Sequence, residues 1–515
     1  MRHLLTLALF AAAPLAAQAP AAVVVPPPSG AVKKAAATIT AADVARRVNI
    51  IADDSMMGRD TPSPGLDMTA QYVADQFKSF GLKPGGENGT WFQRYDIVQT
   101  QFDPAASHVG FIAGGKHVHA DFSINARFLR GTPSEKEVGG PVLVLGGTAN
   151  PSALEGVSAK GKVVLMVMDY SKGPAAGGFG QLLGAVFALE PVGIVLLSNR
   201  DSAGWATRMK PPYRKGVRLG GAEGRAPIVE VNDAALAEVL AAGGVDVAKI
   251  RADTAMVVLV DPGLRVMFDL KETVLNKTTA PNTIGILEGS DPKLKHEYLV
   301  YSGHMDHVGI STGKPDSINN GADDDASGTV GVVELAEAFS RPGARPKRSI
   351  LFITVSGEEK GLWGSNYFVN HPTVPLKDMV ADINIDMIGR NWPDTIVAIG
   401  REHSDLGQTL AAVNARHPEL GMTAIDDKWP EENFYSRSDH FNFAKNGVPI
   451  LFFFNGVHAD YHQPSDSPDK IDSDKESRIL QLLFYLGQAV ANNPNRPQWN
   501  PESYAKIVVP PKPAS

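Results

Sequence analysis

Two histidines and a group of carboxylates occur in the C-terminal half of the sequence, at points where predicted strands end or a predicted helix begins. These positions are His304 and Asp306, Asp323 to Asp325, Glu358 and Glu359, Asp386, and His462. Carboxylates that pack together repel one another and raise one another's pKa, so such a group is costly unless a cation neutralises it. The sequence therefore predicts a bound metal ion.

The types of side chain narrow down the kind of metal site. The chain has no Cys, so its ligands are His, Asp and Glu, a set that suits zinc or a similar divalent ion. A pair of ions about 3.5–4 Å apart needs one shared carboxylate, and five ligands with one bridge leave each ion an open position for water. In the pair Glu358–Glu359 one side chain can ligate while the other acts as general base. Asp306 is placed to hold the second ring nitrogen of His304.

The elements that must position these residues alternate between apolar strands and helices. Strand-like segments such as EYLVYSG, RSILFITVSG and VPILFFFNG alternate with the helix-like segment SGTVGVVELAEAF. This alternation predicts an α/β fold, a three-layer α/β/α sandwich with a mixed, mostly parallel sheet. Ligands of such sheets bind at the carboxyl ends of the strands. Two amphipathic helices are predicted upstream, one after Thr40 and one ending at Gly81.

Short strands between 138 and 262, with one helix around Ala234 to Leu240, predict a mostly β module inserted into this domain. The predicted organisation of the chain is a signal peptide (1–21), a flexible leader (22–38), an N-terminal part of the main domain (39–115), the insert (116–272), the catalytic domain (273–495) and a tail (496–515).

The N-terminus indicates export. Arg2 precedes the apolar run Leu4 to Ala13, and Ala17-Gln18-Ala19 follows, which is the pattern of a signal peptide. Pro14 interrupts a run already too short to span a bilayer, and without Cys there is no lipid-modified cysteine. We therefore expect a periplasmic or secreted protein without stable membrane insertion. The net charge of −7 disfavours nucleic acid as a partner.

Five motifs together resemble the M28 family of dinuclear zinc aminopeptidases and carboxypeptidases. They are SGHMDHVG, NNGADDDASGTVGVVELA, VSGEEKGLWGS, INIDMIGRN and YHQPSDSPDKID, in this order. The resemblance implies peptide substrates and two Zn2+ ions. The insert, with KGKVVLM, is similar to the protease-associated domain found inside members of that family.

The resemblance also implies a role for each site residue. Asp324 would bridge the two ions. Glu359 and His462 would complete one zinc site, and His304 and Asp386 the other. Glu358 would be the general base, Tyr461 a candidate to stabilise the oxyanion, and the Asp324–Asp325 peptide bond would be cis. Asp325 is expected to cap the helix that starts near Ser327.

Several alternatives remain open at this point. On the same fold, a glutaminyl cyclase would use one zinc, and a glutamate-type carboxypeptidase would need Arg390 or Arg437 for substrate carboxylates. A binding protein without catalysis is a further alternative. The loop 426–441 either faces substrate, through Asp426, Asp427, Glu431 or Glu432, or is simply solvated. Four other histidines are expected to be structural, namely His307, His403, His417 and His458.

Overall fold

The computed structural model describes residues 25–134, 136–147, 150–170, 179–210, 213, 215–221, 224–311, 313 and 315–509. The predicted signal peptide (1–21) lies outside the described residues, as do the start of the predicted leader and the end of the predicted tail. No helix in the described ranges is long and apolar enough to span a bilayer.

The strands and helices are numbered in chain order. The strands are β1 (Lys83–Pro84), β2 (Phe92–Ala113), β3 (Lys116–Asp121), β4 (Ala126–Arg130), β5 (Val138–Gly146), β6 (Val163–Val167), β7 (Gly193–Ser198), β8 (Gly216–Leu219), β9 (Ile228–Asn232), β10 (Val257–Leu287), β11 (Tyr298–His304), β12 (Ser349–Val355), β13 (Met379–Ile385), β14 (Thr395–Ile399), β15 (Thr423–Ile425) and β16 (Ile450–Phe453). The α-helices are α1 (Gly30–Ala36), α2 (Ala41–Ile51), α3 (Pro64–Ser79), α4 (Phe179–Ala188), α5 (Ser202–Met209), α6 (Ala237–Ala242), α7 (Val247–Ala252), α8 (Gly328–Ser340), α9 (Trp363–Asn370), α10 (Leu406–Arg416), α11 (His440–Lys445), α12 (Ser473–Asn492) and α13 (Pro501–Ile507).

The chain divides into two compact units. The insert unit is Asp96–Thr279, and the main unit comprises the chain before and after it. The sequence predicted an insert over 116–272. The division falls outside those bounds because β2 and β10 are long, uninterrupted strands whose alternating pattern gives no sign of where one unit ends.

The main unit contains a mixed, mostly parallel sheet, as predicted. Its strand order is β15-β14-β16-β13-β11-β12-β10. The central pairs β11/β12, β11/β13 and β13/β16 are parallel, whereas β10 and β14 pair antiparallel with their neighbours β12 and β16. Strands β12 and β13 are buried along their whole length, which explains their largely apolar sequence.

Helices cover both faces of this sheet and complete the α/β/α arrangement. On one face, Val48 of α2, Phe77 of α3 and Leu483 of α12 belong to one apolar core. On the other face, Phe368 of α9 and Phe443 of α11 belong to a second core. The two predicted N-terminal helices are confirmed. Thr40 caps α2 by accepting a hydrogen bond from the Asp43 amide, and Gly81 follows α3 with a φ of 79°, as expected for a terminating glycine.

The segment predicted as a flexible leader is partly helical. Residues 30–36 form α1, whose first turn is capped by the Ser29 hydroxyl. Ala35 and Ala36 are buried in the core that also holds Val48. The Ala-rich composition that suggested flexibility thus provides small side chains for close helix packing.

The insert unit has more helix and more parallel pairing than the predicted mostly β module. Strands β5, β6, β7 and β9 run parallel to one another, and α4 to α7 all belong to this unit. Consecutive residues of β6, Val163 and Val164, lie in two different apolar cores. Both faces of this sheet are therefore covered, which requires the additional helices.

Candidate metal and active site

Four parallel strands bring the predicted site residues to one edge of the main sheet. His304 is the last residue of β11, and Asp386 directly follows β13. Glu358 and Glu359 follow β12, and His462 lies in the loop after β16. Because the carboxyl ends of parallel strands meet at the same edge, residues far apart in sequence lie close together in space.

The three consecutive aspartates before α8 have different partners. Asp324 faces the histidines, and its peptide bond to Asp325 is cis, as the resemblance implies. Asp325 accepts hydrogen bonds from the amides of Gly328 and His304, so the predicted cap of α8 is confirmed. Asp323 instead accepts a hydrogen bond from the amide of Gly389. Of the three, Asp324 alone brings both carboxylate oxygens next to the imidazoles.

Each carboxylate oxygen of Asp324 lies next to a different group of donor atoms. Asp324 Oδ1 lies 3.4 Å from His304 Nε2, which is 3.6 Å from Asp386 Oδ1. We call His304, Asp324 and Asp386 the trio. Asp324 Oδ2 lies 3.0 Å from His462 Nε2, which is 3.2 Å from Glu359 Oε1. A carboxylate shared in this way is what a pair of neighbouring cations requires.

The second group contains one more residue, and the sequence analysis had left it as structural. His307 Nδ1 lies 3.1 Å from Glu359 Oε1 and 3.6 Å from Asp324 Oδ2. We call His307, Asp324, Glu359 and His462 the quartet, since their donor atoms lie within 4.8 Å of one another. The sequence analysis could not place His307 in this group, because a histidine just beyond a strand gives no sign of the direction in which its ring points.

The donor atoms of the quartet show whether the site suits a cation. Among the described residues, His307 Nδ1, Asp324 Oδ2, Glu359 Oε1 and His462 Nε2 are all buried and have no hydrogen-bond partner. Buried polar atoms are normally paired, and an unpaired one is costly. Four such atoms that converge on one point fit a divalent cation with nitrogen and oxygen ligands, zinc above all.

Asp306 has different contacts from those predicted. The Nδ1 atom of His304 bonds to the backbone carbonyl of Asp306 at 3.1 Å, and the nearest Asp306 carboxylate oxygen is 3.8 Å away. Because a carbonyl oxygen can only accept a hydrogen bond, His304 Nδ1 carries the proton. The lone pair of His304 Nε2 is therefore on the side of Asp324 and Asp386. The Asp306 carboxylate accepts hydrogen bonds from the hydroxyl of Thr61 and the amide of Glu358, so it fixes the loop that carries the predicted general base.

Two further residues support the ligands, and neither could be identified from the sequence. The Ser438 hydroxyl donates to Asp386 Oδ2 at 2.8 Å, which leaves Oδ1 for the trio. Arg59 is fully buried and donates to the carbonyl oxygens of Met305, Asn320 and Gly321. Burial lowers the pKa of Arg59 to about 10, so it remains a cation beside the carboxylates. In the sequence, Arg59 lies in the loop SMMGRD, where an arginine is ordinarily exposed to solvent.

Glu358 and Tyr461 line the same cavity as the trio. Burial, opposed by His304 and reinforced by the Asp439 carboxylate, raises the pKa of Glu358 well above its usual value. Such surroundings favour the protonated form of the carboxyl group. Burial and then the charge of Asp324 raise the pKa of Tyr461 above its usual value, so its phenol remains a hydrogen-bond donor. The Tyr461 ring stacks on His462 with centroids 3.9 Å apart.

The rest of the cavity is mainly apolar. Its apolar lining consists of Met387, Phe434, Phe452, Phe454 and Val457. Phe452 lies in β16, Phe454 directly follows that strand, and their rings stack with centroids 5.3 Å apart. A wall of this kind next to a polar centre accommodates an apolar side chain of a ligand.

The predicted substrate-facing loop reaches this cavity only in part. Arg437 lines the cavity, and its guanidinium pairs with Glu432 at 3.3 Å. Asp426 pairs with Arg401 instead, and Arg390 pairs with Asp460 at 2.9 Å. Among the described residues, the acidic side chains Asp426, Asp427, Glu431 and Glu432 do not belong to the lining of this cavity.

The other histidines lie outside both donor groups in the part of the chain that the structure describes. His417 Nδ1 lies 2.7 Å from Glu419 Oε1, and its ring stacks on Tyr485. His403 bonds to the hydroxyl of Ser503. His458 Nε2 lies 3.2 Å from Asp323 Oδ2. Their placement agrees with the structural roles predicted for them.

Comparisons with known proteins point to one family. Residues 282–487 match Peptidase family M28. The leupeptin-inactivating enzyme 1 of Streptomyces exfoliatus is 31% identical over 194 residues, which are 37% of this chain and 39% of that protein. Aminopeptidase YwaD of Bacillus subtilis is 28% identical over 226 residues, or 42% of this chain and 45% of that protein. The chain thus spans less than half the length of these two curated relatives.

A solved structure covers more of the chain at lower identity. The aminopeptidase from Aneurinibacillus sp. strain AM-1 is 18% identical, with a TM-score of 0.49 over 90% of this chain and 97% of that one. The match of residues 282–487 to the family includes every member of the trio and the quartet. The part of the chain that carries both donor groups is thus similar to the peptidase domain of family M28.

Proposed function

We propose that this protein is a zinc-dependent aminopeptidase that removes N-terminal residues with apolar side chains from peptides. The observation that carries the proposal is the position of Asp324 between two groups of imidazole and carboxylate donors, next to a cavity that also contains Glu358. In this proposal the trio and the quartet each hold one Zn2+. The match of residues 282–487 to Peptidase family M28 and the aminopeptidase among the relatives support this assignment.

Zinc at these groups would polarise the scissile carbonyl and lower the pKa of the attacking water. Glu358 accepts a proton from that water as the water oxygen bonds to the carbonyl carbon. When the bond between carbon and nitrogen breaks, Glu358 passes the proton to the departing amine. The Tyr461 hydroxyl donates a hydrogen bond to the oxyanion that forms in between.

The cavity lining supports the preference for apolar side chains and for an aminopeptidase. The rings of Phe434, Phe452 and Phe454 provide apolar surface for the side chain of the N-terminal residue. A glutamate-type carboxypeptidase would need a cation for the carboxylate of its substrate. Arg390 and Arg437 both have acidic partners already, so neither offers a free charge to such a substrate.

The location of the protein remains a proposal from the sequence. We propose export to the periplasm or the medium through the segment 1–21, with peptides outside the cytoplasm as substrates. Residues 116–272 remain predicted to resemble a protease-associated domain.

A panel of chromogenic amides tests the function. Leucyl and phenylalanyl p-nitroanilides, their N-acetylated forms and C-terminal dipeptides would be assayed with and without a chelator, with bound zinc measured in parallel. We expect hydrolysis of the free leucyl and phenylalanyl amides, none of the acetylated forms, and loss with chelator that Zn2+ reverses. Cleavage of C-terminal residues would instead support a carboxypeptidase, and cyclisation of N-terminal glutamine with one bound zinc a glutaminyl cyclase. Absence of all three activities would support a binding protein.

A further inference from the structure

The imidazole of His307 is a buried group that the proposed mechanism does not use. Its side chain is fully shielded from solvent, and the His307 amide donates to the Arg59 carbonyl. The ring packs against Gly321, where an added Cβ would lie 2.5 Å from the His307 Cγ. Gly321 also has a φ of 56°, a region that favours glycine. The backbone on both sides therefore fixes the position of this ring.

The separations within the quartet match those between ligands of a tetrahedral ion. Zinc ligands lie about 2.0–2.1 Å from the metal, so two ligands of a regular tetrahedron are about 3.3 Å apart. His307 Nδ1 lies 3.1 Å from Glu359 Oε1 and 3.6 Å from Asp324 Oδ2. The corresponding distances from His462 Nε2 are 3.2 Å and 3.0 Å. His307 Nδ1 thus lies at similar distances from the two carboxylates as His462 Nε2.

A hydrogen bond between His307 and Glu359 does not explain the short contact. His307 Nδ1 and Glu359 Oε1 are both without a hydrogen-bond partner among the described residues, although they lie 3.1 Å apart. A ring N–H that pointed at the carboxylate would satisfy both atoms. The two atoms instead belong to a group of four donor atoms that all lie within 4.8 Å of one another, as the ligands of one ion do.

We propose that His307 Nδ1 is the fourth protein ligand of the zinc ion held by Asp324, Glu359 and His462. The proposal rests on the proposed function in so far as that function requires two ions. The quartet ion is then enclosed by four protein groups, whereas the trio ion has three and keeps an open position. Fully protein-ligated sites are typical of structural zinc, and sites with an open position are typical of catalytic zinc. The quartet is therefore the tighter site, and its ion exchanges with solvent more slowly than the ion of the trio.

Metal affinity, measured on the full chain, tests the proposal. Zinc per chain is determined by elemental analysis during titration with a competing chelator, for the natural protein and for His307→Ala. We expect the natural protein to release one zinc well before the other. We expect His307→Ala to bind the zinc of the quartet more than about 100-fold more weakly than the natural protein does. Loss of a ligand should exceed the loss of an outer-shell partner, which costs about 10–100-fold in affinity. His417→Ala, which removes another buried imidazole of the main unit, should leave both affinities unchanged.

Two conservative variants identify the ligating atom. The amide of Asn branches from Cγ as Nδ1 does, whereas the amide of Gln lies one bond further out. His307→Asn should therefore keep more affinity than His307→Gln, and it remains informative if His307→Ala does not fold, as judged by circular dichroism. Absorption spectra of the Co2+-loaded protein report coordination directly, and we expect His307→Ala to change the bands of the tighter site.

Failure of this proposal can be distinguished from failure of the proposed function. If the natural protein binds two zinc ions and hydrolyses leucyl amides, but His307→Ala keeps the Co2+ spectrum of the tighter site, His307 is not a ligand. A loss of affinity of 100-fold or less with an unchanged spectrum makes it an outer hydrogen-bond partner, which also contradicts the proposal. A natural protein that binds no zinc contradicts both.

Discussion

The two units of the chain both place charged side chains near the ends of parallel strands, but they neutralise buried carboxylates in different ways. In the insert unit, Glu230 of β9 is almost fully buried. Its two oxygens pair with Arg200 at 3.0 Å and Arg208 at 2.7 Å. In the main unit, Asp324 Oδ2 and Glu359 Oε1 are equally buried and have no hydrogen-bond partner among the described residues. Their nearest basic neighbours are imidazoles.

The difference shows what distinguishes a structural carboxylate from a metal ligand. Burial alone does not, since Glu230 is as buried as Asp324. A buried charge must be compensated, and arginine compensates Glu230 within the protein. Imidazole offers a lone pair as well as a proton, so carboxylates and imidazoles that lie close together can share a cation, as we propose for Asp324 and Glu359.

The largest effect is expected from removal of the shared carboxylate. Asp324→Ala deletes an oxygen from the trio and one from the quartet, so both ions should be lost and leucyl amide hydrolysis should fall by more than about 10⁴-fold. Elemental analysis and steady-state kinetics measure the two effects. Asp394→Ala, an exposed residue of the same unit, serves as control. An Asp324→Ala protein that still carries two zinc ions would show that this carboxylate is not the bridge.

Replacement of the general base should separate catalysis from metal binding. Glu358→Gln removes the proton acceptor but leaves every member of the trio and the quartet, so we expect kcat to fall about 10²–10⁴-fold with zinc content unchanged. Glu402→Gln, which alters a largely exposed carboxylate, should have no effect on either quantity. Loss of zinc in Glu358→Gln would place this side chain among the ligands, and unchanged kcat would remove it from the mechanism.

Much of this site could be predicted because its residues lie in short sequence segments whose position relative to the strands and helices can be recognised. Each ligand lies at the end of a strand or the start of a helix, and the order of such elements indicates that their ends meet. The choice of Asp324 among three adjacent aspartates came from the resemblance to M28 peptidases alone, and the structure agrees with it, since of the three only Asp324 brings its carboxylate next to His304 and His462.

The residues that were missed depend on tertiary packing. Arg59 bonds to the Met305 carbonyl across 246 residues, and backbone carbonyls carry no side-chain signature in a sequence. His307 lies beyond the regular part of β11, where alternation no longer fixes direction, and its ring faces the quartet because Gly321 leaves room for it. The unit boundaries were missed for a similar reason, since β2 and β10 continue through them without a break.

Removal of zinc should change the pH dependence of stability. Burial raises the pKa of Asp306 to about 6, against about 3.9 in an unfolded chain. Between about pH 6 and pH 4 the folded chelated protein holds a proton that the unfolded chain has released. The free energy of unfolding should therefore increase as pH falls through this window, with a contribution on the order of 3 kcal/mol.

Urea unfolding of the chelated protein at several pH values measures this effect. Asp306→Asn isolates the contribution of Asp306, because this variant should lack the part of the increase in unfolding free energy that comes from protonation of the Asp306 carboxylate. The zinc-loaded protein should show the opposite trend, because acid protonates the ligands and releases the ions. A chelated natural protein with the same pH dependence as Asp306→Asn would show that Asp306 is not destabilised by burial.

The smallest effect is expected in the insert unit. Glu230→Gln leaves Arg200 and Arg208 without their carboxylate, but both guanidinium groups are about one third exposed, so water replaces much of the lost interaction. We expect the insert unit to lose about 1–2 kcal/mol of stability, measured by hydrogen exchange of the β9 amides. Zinc content and kcat should stay the same, because the carboxylate of Glu230 is neutralised by arginine and not by an ion. Loss of zinc from this variant would mean that arginine-paired carboxylates also support the metal site, and the contrast between the two units would then no longer hold.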